Sequence, residues 1–213
     1  MIDSLHYISQ PSASGSHLEA IEKVLLAGAK WIQLRVKNQT EDEVLALALK
    51  AAWLCKVHEA RLIVNDYPQV ALAAGAYGLH LGLNDMPVAE ARAIVGPDMI
   101  IGGTANTFEH IQLRAAEGVN YIGLGPYRFT TTKQNLSPVI GLEGYIRLIE
   151  QMQEAGIRLP VIAIGGIEAK DIPLLMQAGL HGVAVSGALT RHTELSLAIG
   201  EMYSNLQVVH SNI

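Results

Sequence analysis

The sequence predicts an α/β protein, a (β/α)8 barrel folded as a single domain. Three observations carry this. A phrase recurs at 26–35, 73–82, 116–125 and 177–186, each time a helix end closed by glycine, a two- or three-residue link, and a short apolar strand. Glycine in that place takes the left-handed conformation that caps a helix C-terminus. The strands show little polar alternation, as strands covered on both faces do. Strand and helix also alternate strictly with short links, which asks for a parallel sheet. Right-handed crossovers then wind eight such units into a closed barrel. An open doubly wound sheet is the alternative, but the first strand-to-helix turn, Ser9–Gly15, lacks a Gly-x-Gly-x-x-Gly fingerprint.

In order, Leu5–Gln10 reads as the first strand and His17–Ala29 as a helix with Leu18, Ile21, Val24 and Leu25 on one stripe. Trp31–Val36 is the second strand. Glu41–Glu59 is a helix that Thr40 caps, with Glu43 placed to close a capping box. Arg61–Asn65 is the third strand, followed by a helix to Ala74, and Gly78–Gly82 is the fourth. Pro87 opens the next helix in its first turn. Met99–Ala105 is the fifth strand, Phe108–Gly118 a helix, and Tyr121–Gly125 the sixth strand. Leu142–Gly156 is helical, Pro160–Ile164 the seventh strand, Ala169–Ala178 a helix, Gly182–Ser186 the eighth strand and Leu195–Val209 the last helix. Pro126–Ile140 is the only long link, and its polar character predicts a mobile lid.

Composition narrows the function. Half of the 213 residues are hydrophobic, 16% are charged and the net charge is −5, with no basic run to suit nucleic acid. No apolar run reaches membrane-spanning length, and the N-terminus lacks a signal-peptide pattern. Cys55, the single cysteine, lies in an apolar helical stretch and reads as a core thiol in a reducing compartment. The expectation is a soluble cytoplasmic protein, with homo-oligomerisation left open.

Active sites of this fold lie at the C-terminal ends of the strands. The second strand runs out through Gln33, Arg35 and Lys37, which share one face. Polar and cationic groups on an apolar strand call for an anionic, polar partner, unless the Arg and Lys simply reach the rim. Asn65-Asp66 ends the third strand, and Asp85 follows the fourth. Two carboxylates at neighbouring strand ends suit Mg2+, with phosphate oxygens completing the shell; a helix N-cap is the plain alternative for Asp85. Thr104 ends the fifth strand with a hydroxyl for phosphate, while Asn106 or Thr107 suits a helix cap. After the sixth strand come Thr130, Thr131, Thr132 and Lys133, hydroxyls beside a cation, which suit phosphate oxygens or form an ordinary polar loop. Gly165-Gly166 and Ser186-Gly187 end the last two strands, where glycine backbones approach phosphate closely. The set asks for two phosphate groups. Arg35, Lys37, Lys133 and Mg2+ on Asp66 and Asp85 meet one, and Thr130, Thr132 and the glycine backbones meet the other. No nucleophilic triad shares this rim, so the chemistry expected is metal-assisted departure of diphosphate.

In Gln33-Leu-Arg-Val-Lys37, Val64-Asn-Asp66, Gly78-Leu-His-Leu-Gly82 with Asp85 and Pro87, Gly125-Pro with Thr130–Lys133, and Ala163-Ile-Gly-Gly-Ile167, the chain resembles the thiamine phosphate synthase family along nearly its whole length. That family joins a hydroxymethylpyrimidine diphosphate to a thiazole phosphate and releases diphosphate. The resemblance implies Gln33 on the pyrimidine, and Arg35, Lys37, Asn65, Thr104 and Lys133 around the diphosphate. It implies Mg2+ on Asp66 and Asp85, and the thiazole phosphate on Thr130, Thr132, Gly166, Ser186 and Gly187. Arg35, Lys37 and Lys133 would carry the catalysis. The chain departs from the family pattern at Val36, usually Glu, at Leu83, usually Gln, and after the eighth strand, where Ser186-Gly187-Ala188 replaces Val-Ser-Ala. His80 faces inward as a core histidine or a substrate contact. A thiazole tautomerase on the same barrel would want a histidine just after the fifth strand, where Thr104–Thr107 stands. A silent phosphate-binding barrel would not need both aspartates. A tryptophan-pathway barrel would want an acid/base pair that is not found.

Overall fold

A computed structural model describes residues 1–13, 15–129 and 138–207. Eight parallel strands close into a barrel in sequence order, with the last paired to the first. They are β1 (Leu5–Ile8), β2 (Trp31–Leu34), β3 (Arg61–Asn65), β4 (Gly78–Leu81), β5 (Ile100–Ala105), β6 (Tyr121–Leu124), β7 (Val161–Ile164) and β8 (Gly182–Val185). Around them lie α1 (His17–Leu26), α2 (Glu41–Val57), α3 (Pro68–Ala73), α4 (Val88–Val95), α5 (Phe108–Ala116), α6 (Gly141–Glu154), α7 (Ile172–Gln177), α8 (Gly187–Thr190) and α9 (Leu195–Gln207). The recurring glycines do what the phrase implies: Gly28, Gly75, Gly118 and Gly179 have φ of 102°, 61°, 76° and 90°. Thr40 and Glu43 form the expected capping box on α2.

Strand residues alternate between two cores. Leu34, Val64, Leu79, Leu81, Ile101, Ile122 and Val183 pack outward under the helices. Ile8, Trp31, Ile63, Tyr121, Ile162 and Ala184 point inward and form a separate core inside the barrel. Two large rings fit there because small residues face them: a Cβ at Gly102 would overlap the Tyr121 ring. His6 stacks on Trp31 with ring centroids 4.6 Å apart, and its Nε2–H donates to the Asp3 carbonyl at 2.8 Å. The N-terminal half of the barrel is thus filled with side chains, and the space left lies at the C-terminal strand ends.

The differences from expectation have local causes. β2 stops at Leu34 because the Arg35 N–H donates to Ser9 Oγ at 3.1 Å rather than to a neighbouring strand. β1 stops at Ile8, not Gln10. Pro87 is the N-cap of α4, just outside its first turn. The helix expected over Ala169–Ala178 starts as a 3-10 turn, Ala169–Asp171, before α7. The short helix α8 was not expected at all. Cys55 is a buried core thiol, as the sequence indicated, and burial pushes it up to about 12. No helix among the described residues is long and apolar enough to cross a membrane. The ends of the long link after β6 are pinned: Tyr127 N–H donates to the Ile164 carbonyl at 2.8 Å and Ile140 N–H to the Pro126 carbonyl at 2.9 Å. The lid expected over 126–140 falls largely on residues 130–137, outside the described residues.

Candidate active site

A cavity of about 440 Å³ opens at the C-terminal ends of the strands. Gln33, Arg35, Lys37, Asn65, Asp66, Asp85, Thr104, Gly166, Ser186 and Gly187 all line it. Thr130, Thr131, Thr132 and Lys133 lie outside the described residues.

The β2–β5 side carries the side-chain chemistry. Gln33 is 4% exposed and its Nε2 donates to Asn65 Oδ1 at 2.7 Å, so each amide orients the other. Arg35 and Lys37 lie beyond the end of β2, and Lys37 forms a very short ion pair with Asp66. Asp66 holds a left-handed backbone, φ 71°, which aspartate tolerates better than most residues. Asp85 does not cap α4. Its Oδ2 accepts the Gly82 N–H at 2.6 Å, folding the carboxylate back toward Asp66. Burial first, then the hydrogen bond with Asp85, pushes the Asp66 carboxyl up to about 6 against the pull of Lys37. Burial acts against ionisation of Asp85 too, but the bonds from Asp66 and Gly82 and the charges of Lys37 and His80 hold it below the usual carboxylate range. Of the two carboxyls, Asp66 is therefore the one that takes up a proton more readily. A hard divalent cation fits the same place, since it relieves the repulsion between neighbouring carboxylates. No group of three or more His, Cys, Asp or Glu side chains able to hold a metal occurs among the described residues, so two carboxylates would leave coordination positions for water and phosphate oxygens.

Thr104 faces in from β5, and its Oγ1 lies 3.1 Å from His80 Nε2, while His80 Nδ1 lies 3.1 Å from the Tyr121 hydroxyl. His80 thus both lines the cavity and belongs to a buried polar chain. Thr107, not Asn106, caps α5, accepting the His110 N–H at 3.3 Å; Asn106 donates to the Gly125 carbonyl at 2.5 Å.

The β7–β8 side is mostly backbone. Gly165 and Gly166 have φ of 98° and 70°, a conformation that turns the backbone sharply at the cavity wall. Arg128 braces this turn, donating to the Gly166 carbonyl at 2.9 Å and to Asp171 at 2.6 Å. Ser186 Oγ is buried without a hydrogen-bond partner among the described residues. Three arginines that bear on the site were missed from the sequence. They are Arg191 on the cavity wall, Arg128 behind Gly166, and Arg114, whose guanidinium donates to the Gly82 and Thr104 carbonyls at 2.8 and 3.1 Å. Spacing held a signal for Arg191, which stands one helical turn after Gly187.

A filled lower barrel beneath a cavity of acidic, cationic and amide side chains on one side and glycine turns on the other defines a (β/α)8 enzyme that acts on small molecules. Comparison with known proteins makes this specific. Residues 5–189 match the family described as "Thiamine monophosphate synthase", and the chain belongs to that family. Two similar proteins, both named thiamine-phosphate synthase, come from Bacteroides fragilis and Flavobacterium johnsoniae. The first is 53% identical over 186 residues, 87% of this chain and 91% of that protein. The second is 47% identical over 206 residues, 97% of each. A solved thiamine phosphate pyrophosphorylase from Pyrococcus furiosus superposes with a TM-score of 0.83 at 29% identity, covering 97% of this chain and 96% of that one. This chain is accordingly a transferase of thiamine biosynthesis.

Proposed function

We propose that the chain is a Mg2+-dependent thiamine-phosphate synthase that joins hydroxymethylpyrimidine diphosphate to hydroxyethylthiazole phosphate and releases diphosphate. The observation that carries this is the meeting, in one cavity, of the Asp66–Asp85 pair beside Lys37 with the Gln33–Asn65 amide pair. Mg2+, when bound to the two aspartates, would supply positive charge to the leaving diphosphate. Arg35 and Lys37 add cations on the same side, and Lys37 is free to turn from Asp66 toward diphosphate oxygens once the aspartates bind a metal. Gln33 and Asn65, each already oriented by the other, present amide groups to the pyrimidine ring and the diphosphate. Thr104, held by His80, offers a hydroxyl to the diphosphate.

The reaction then needs positioning more than proton transfer. The bond between the pyrimidine methylene and the diphosphate oxygen breaks with its electron pair on oxygen. The thiazole nitrogen lone pair forms the new C–N bond, and no proton has to move. Cationic groups aimed at the departing oxygens, and a thiazole held by its phosphate at the β7–β8 side, lower the barrier by electrostatics and proximity. Lys133, Thr130, Thr131 and Thr132 belong to this reading as cation and hydroxyls from the link after β6.

The test is diphosphate release from purified protein supplied with both substrates and Mg2+, repeated with EDTA and with each substrate omitted. Release that requires both substrates and the metal supports the synthase. Release from the pyrimidine diphosphate alone would make the protein a hydrolase, and no release from folded protein would reject the reading.

A further inference from the structure

Arg191 lines the β7–β8 end of the cavity. It is the C-cap of the one-turn helix α8, with φ −102° and ψ 3°. Side chains on a helical turn lean toward the helix N-terminus, so a residue at this position lies over the one a turn earlier. Here that residue is Gly187. A Cβ at Gly187 would stand 2.8 Å from both Cζ and Nη1 of Arg191, and Nη2 would be closer still. Only the missing side chain lets the guanidinium lie flat against the backbone that ends β8. The family pattern has serine here, and this chain has Gly187 together with Arg191.

The guanidinium is also uncommitted. Among the described residues Arg191 makes no ion pair. The carboxylate on the cavity wall at this side, Glu168, is already engaged by Lys170 at 2.8 Å and Arg128 at 3.8 Å. Beside Arg191, Ser186 Oγ is buried and has no partner among the described residues. A forked cation and an orphan hydroxyl at β8's end thus line the same cavity as the glycine turn at β7's end, and a phosphate monoester has acceptor oxygens for all three. We propose that Arg191 binds the phosphate of the thiazole substrate directly, as a positioning residue that Gly187 makes possible. This rests on the reading of the β7–β8 side as the phosphate end.

Calorimetry with hydroxyethylthiazole phosphate, and with the unphosphorylated alcohol as its control, tests the assignment. Wild-type protein should bind the phosphate much more tightly than the alcohol. Arg191→Gln should lose roughly ten- to a hundredfold in affinity for the phosphate, as removal of charge-assisted hydrogen bonds does, with the alcohol unaffected. The KM for the thiazole phosphate should rise in parallel while the KM for the pyrimidine diphosphate stays. Gly187→Ala should weaken phosphate binding in the wild type but add little in Arg191→Gln, since its methyl acts by displacing the guanidinium. Phosphate affinity unchanged in Arg191→Gln, or fully additive losses in the double variant, would overturn the role of Arg191 while leaving the synthase reading intact. Wild-type protein that does not distinguish the phosphate from the alcohol would overturn both.

Discussion

Replacing Arg114 should damage both the fold and the proposed Mg2+ site at Asp66 and Asp85, and the structure sets the size of the effect. Arg114 lies on α5, yet it is 3% exposed, because Gly103 opposite leaves space for its stem. Its guanidinium donates to the Gly82 carbonyl at 2.8 Å, the Thr104 carbonyl at 3.1 Å and Glu117 at 2.7 Å. Methionine would fill much of the stem's volume and replace none of these bonds. Hydrogen bonds to charged groups contribute about 1.5–3 kcal/mol each, and removing one member of a buried pair costs about 3–5 kcal/mol. Arg114→Met should therefore lose about 3–5 kcal/mol in urea unfolding, a large part of the stability of an ordinary domain. The functional consequence follows from Gly82, whose carbonyl Arg114 holds and whose N–H holds Asp85. In protein still folded, half-maximal diphosphate release should need more Mg2+. Arg114→Lys keeps one charge and loses the fork, so it should fall between the two. A loss under about 1 kcal/mol for Arg114→Met would refute the energetic argument. Full loss of stability with an unchanged Mg2+ requirement would refute the link to Asp85.

Two further perturbations address the barrel core. Burial holds the His6 imidazole down to about 3 from 6.5, so the folded protein stays neutral there while the unfolded chain takes up a proton below pH 6.5. Stability from this group is complete above pH 6.5 and falls with acid toward pH 3. Between pH 7 and pH 5 it should account for roughly 2 kcal/mol in urea unfolding. The pH dependence should flatten by that amount in His6→Gln, and identical slopes in both proteins would discard the idea. Gly102→Ala places a methyl in the ring of Tyr121, itself 1% exposed. It should cost about 1–3 kcal/mol or more by overpacking. Tyr121→Leu in the same chain should recover part of that loss, whereas simple additivity of the two would show that the clash is absorbed elsewhere.

The barrel was legible because its signals are local. Each Ala-Gly or Glu-Gly stop reports a left-handed cap, and each run such as Tyr121–Leu124 is too short and apolar to be anything but a covered strand. The lining of the cavity was largely legible for the same reason. In a barrel of four- to six-residue strands, the polar residue at the end of each strand necessarily faces the mouth, so Gln33, Asn65, Thr104 and Ser186 follow from counting. What stayed hidden depends on the absence of a side chain elsewhere. Arg114 looks like a surface residue of an amphipathic helix until Gly103 is seen to admit it. Arg191 looks like a loop cation until Gly187 is seen beneath it, within a helix of one turn that no periodicity could announce. In both cases glycine supplies the space and arginine the chemistry, and only for Arg191 does a one-turn spacing link the two in sequence.

The two sides of the mouth solve different electrostatic problems. In the proposed reaction the charge to be handled on the β2–β4 side changes, since electron pairs arrive on the departing diphosphate. Charged side chains suit it, and the raised Asp66 carboxyl beside Asp85 marks a place where an added positive charge is favoured. On the β7–β8 side, in the same reading, the thiazole phosphate is a handle whose charge stays constant, so rigid backbone turns at Gly165 and Gly166 suffice to place it. Arg191 alters that division by bringing a permanent cation to the constant side. Because it acts equally before and after bond formation, its removal should weaken binding of the thiazole phosphate and of the thiamine phosphate product alike, leaving kcat at saturating substrate nearly unchanged. Loss of Lys37, which faces the changing charge, should instead lower kcat itself.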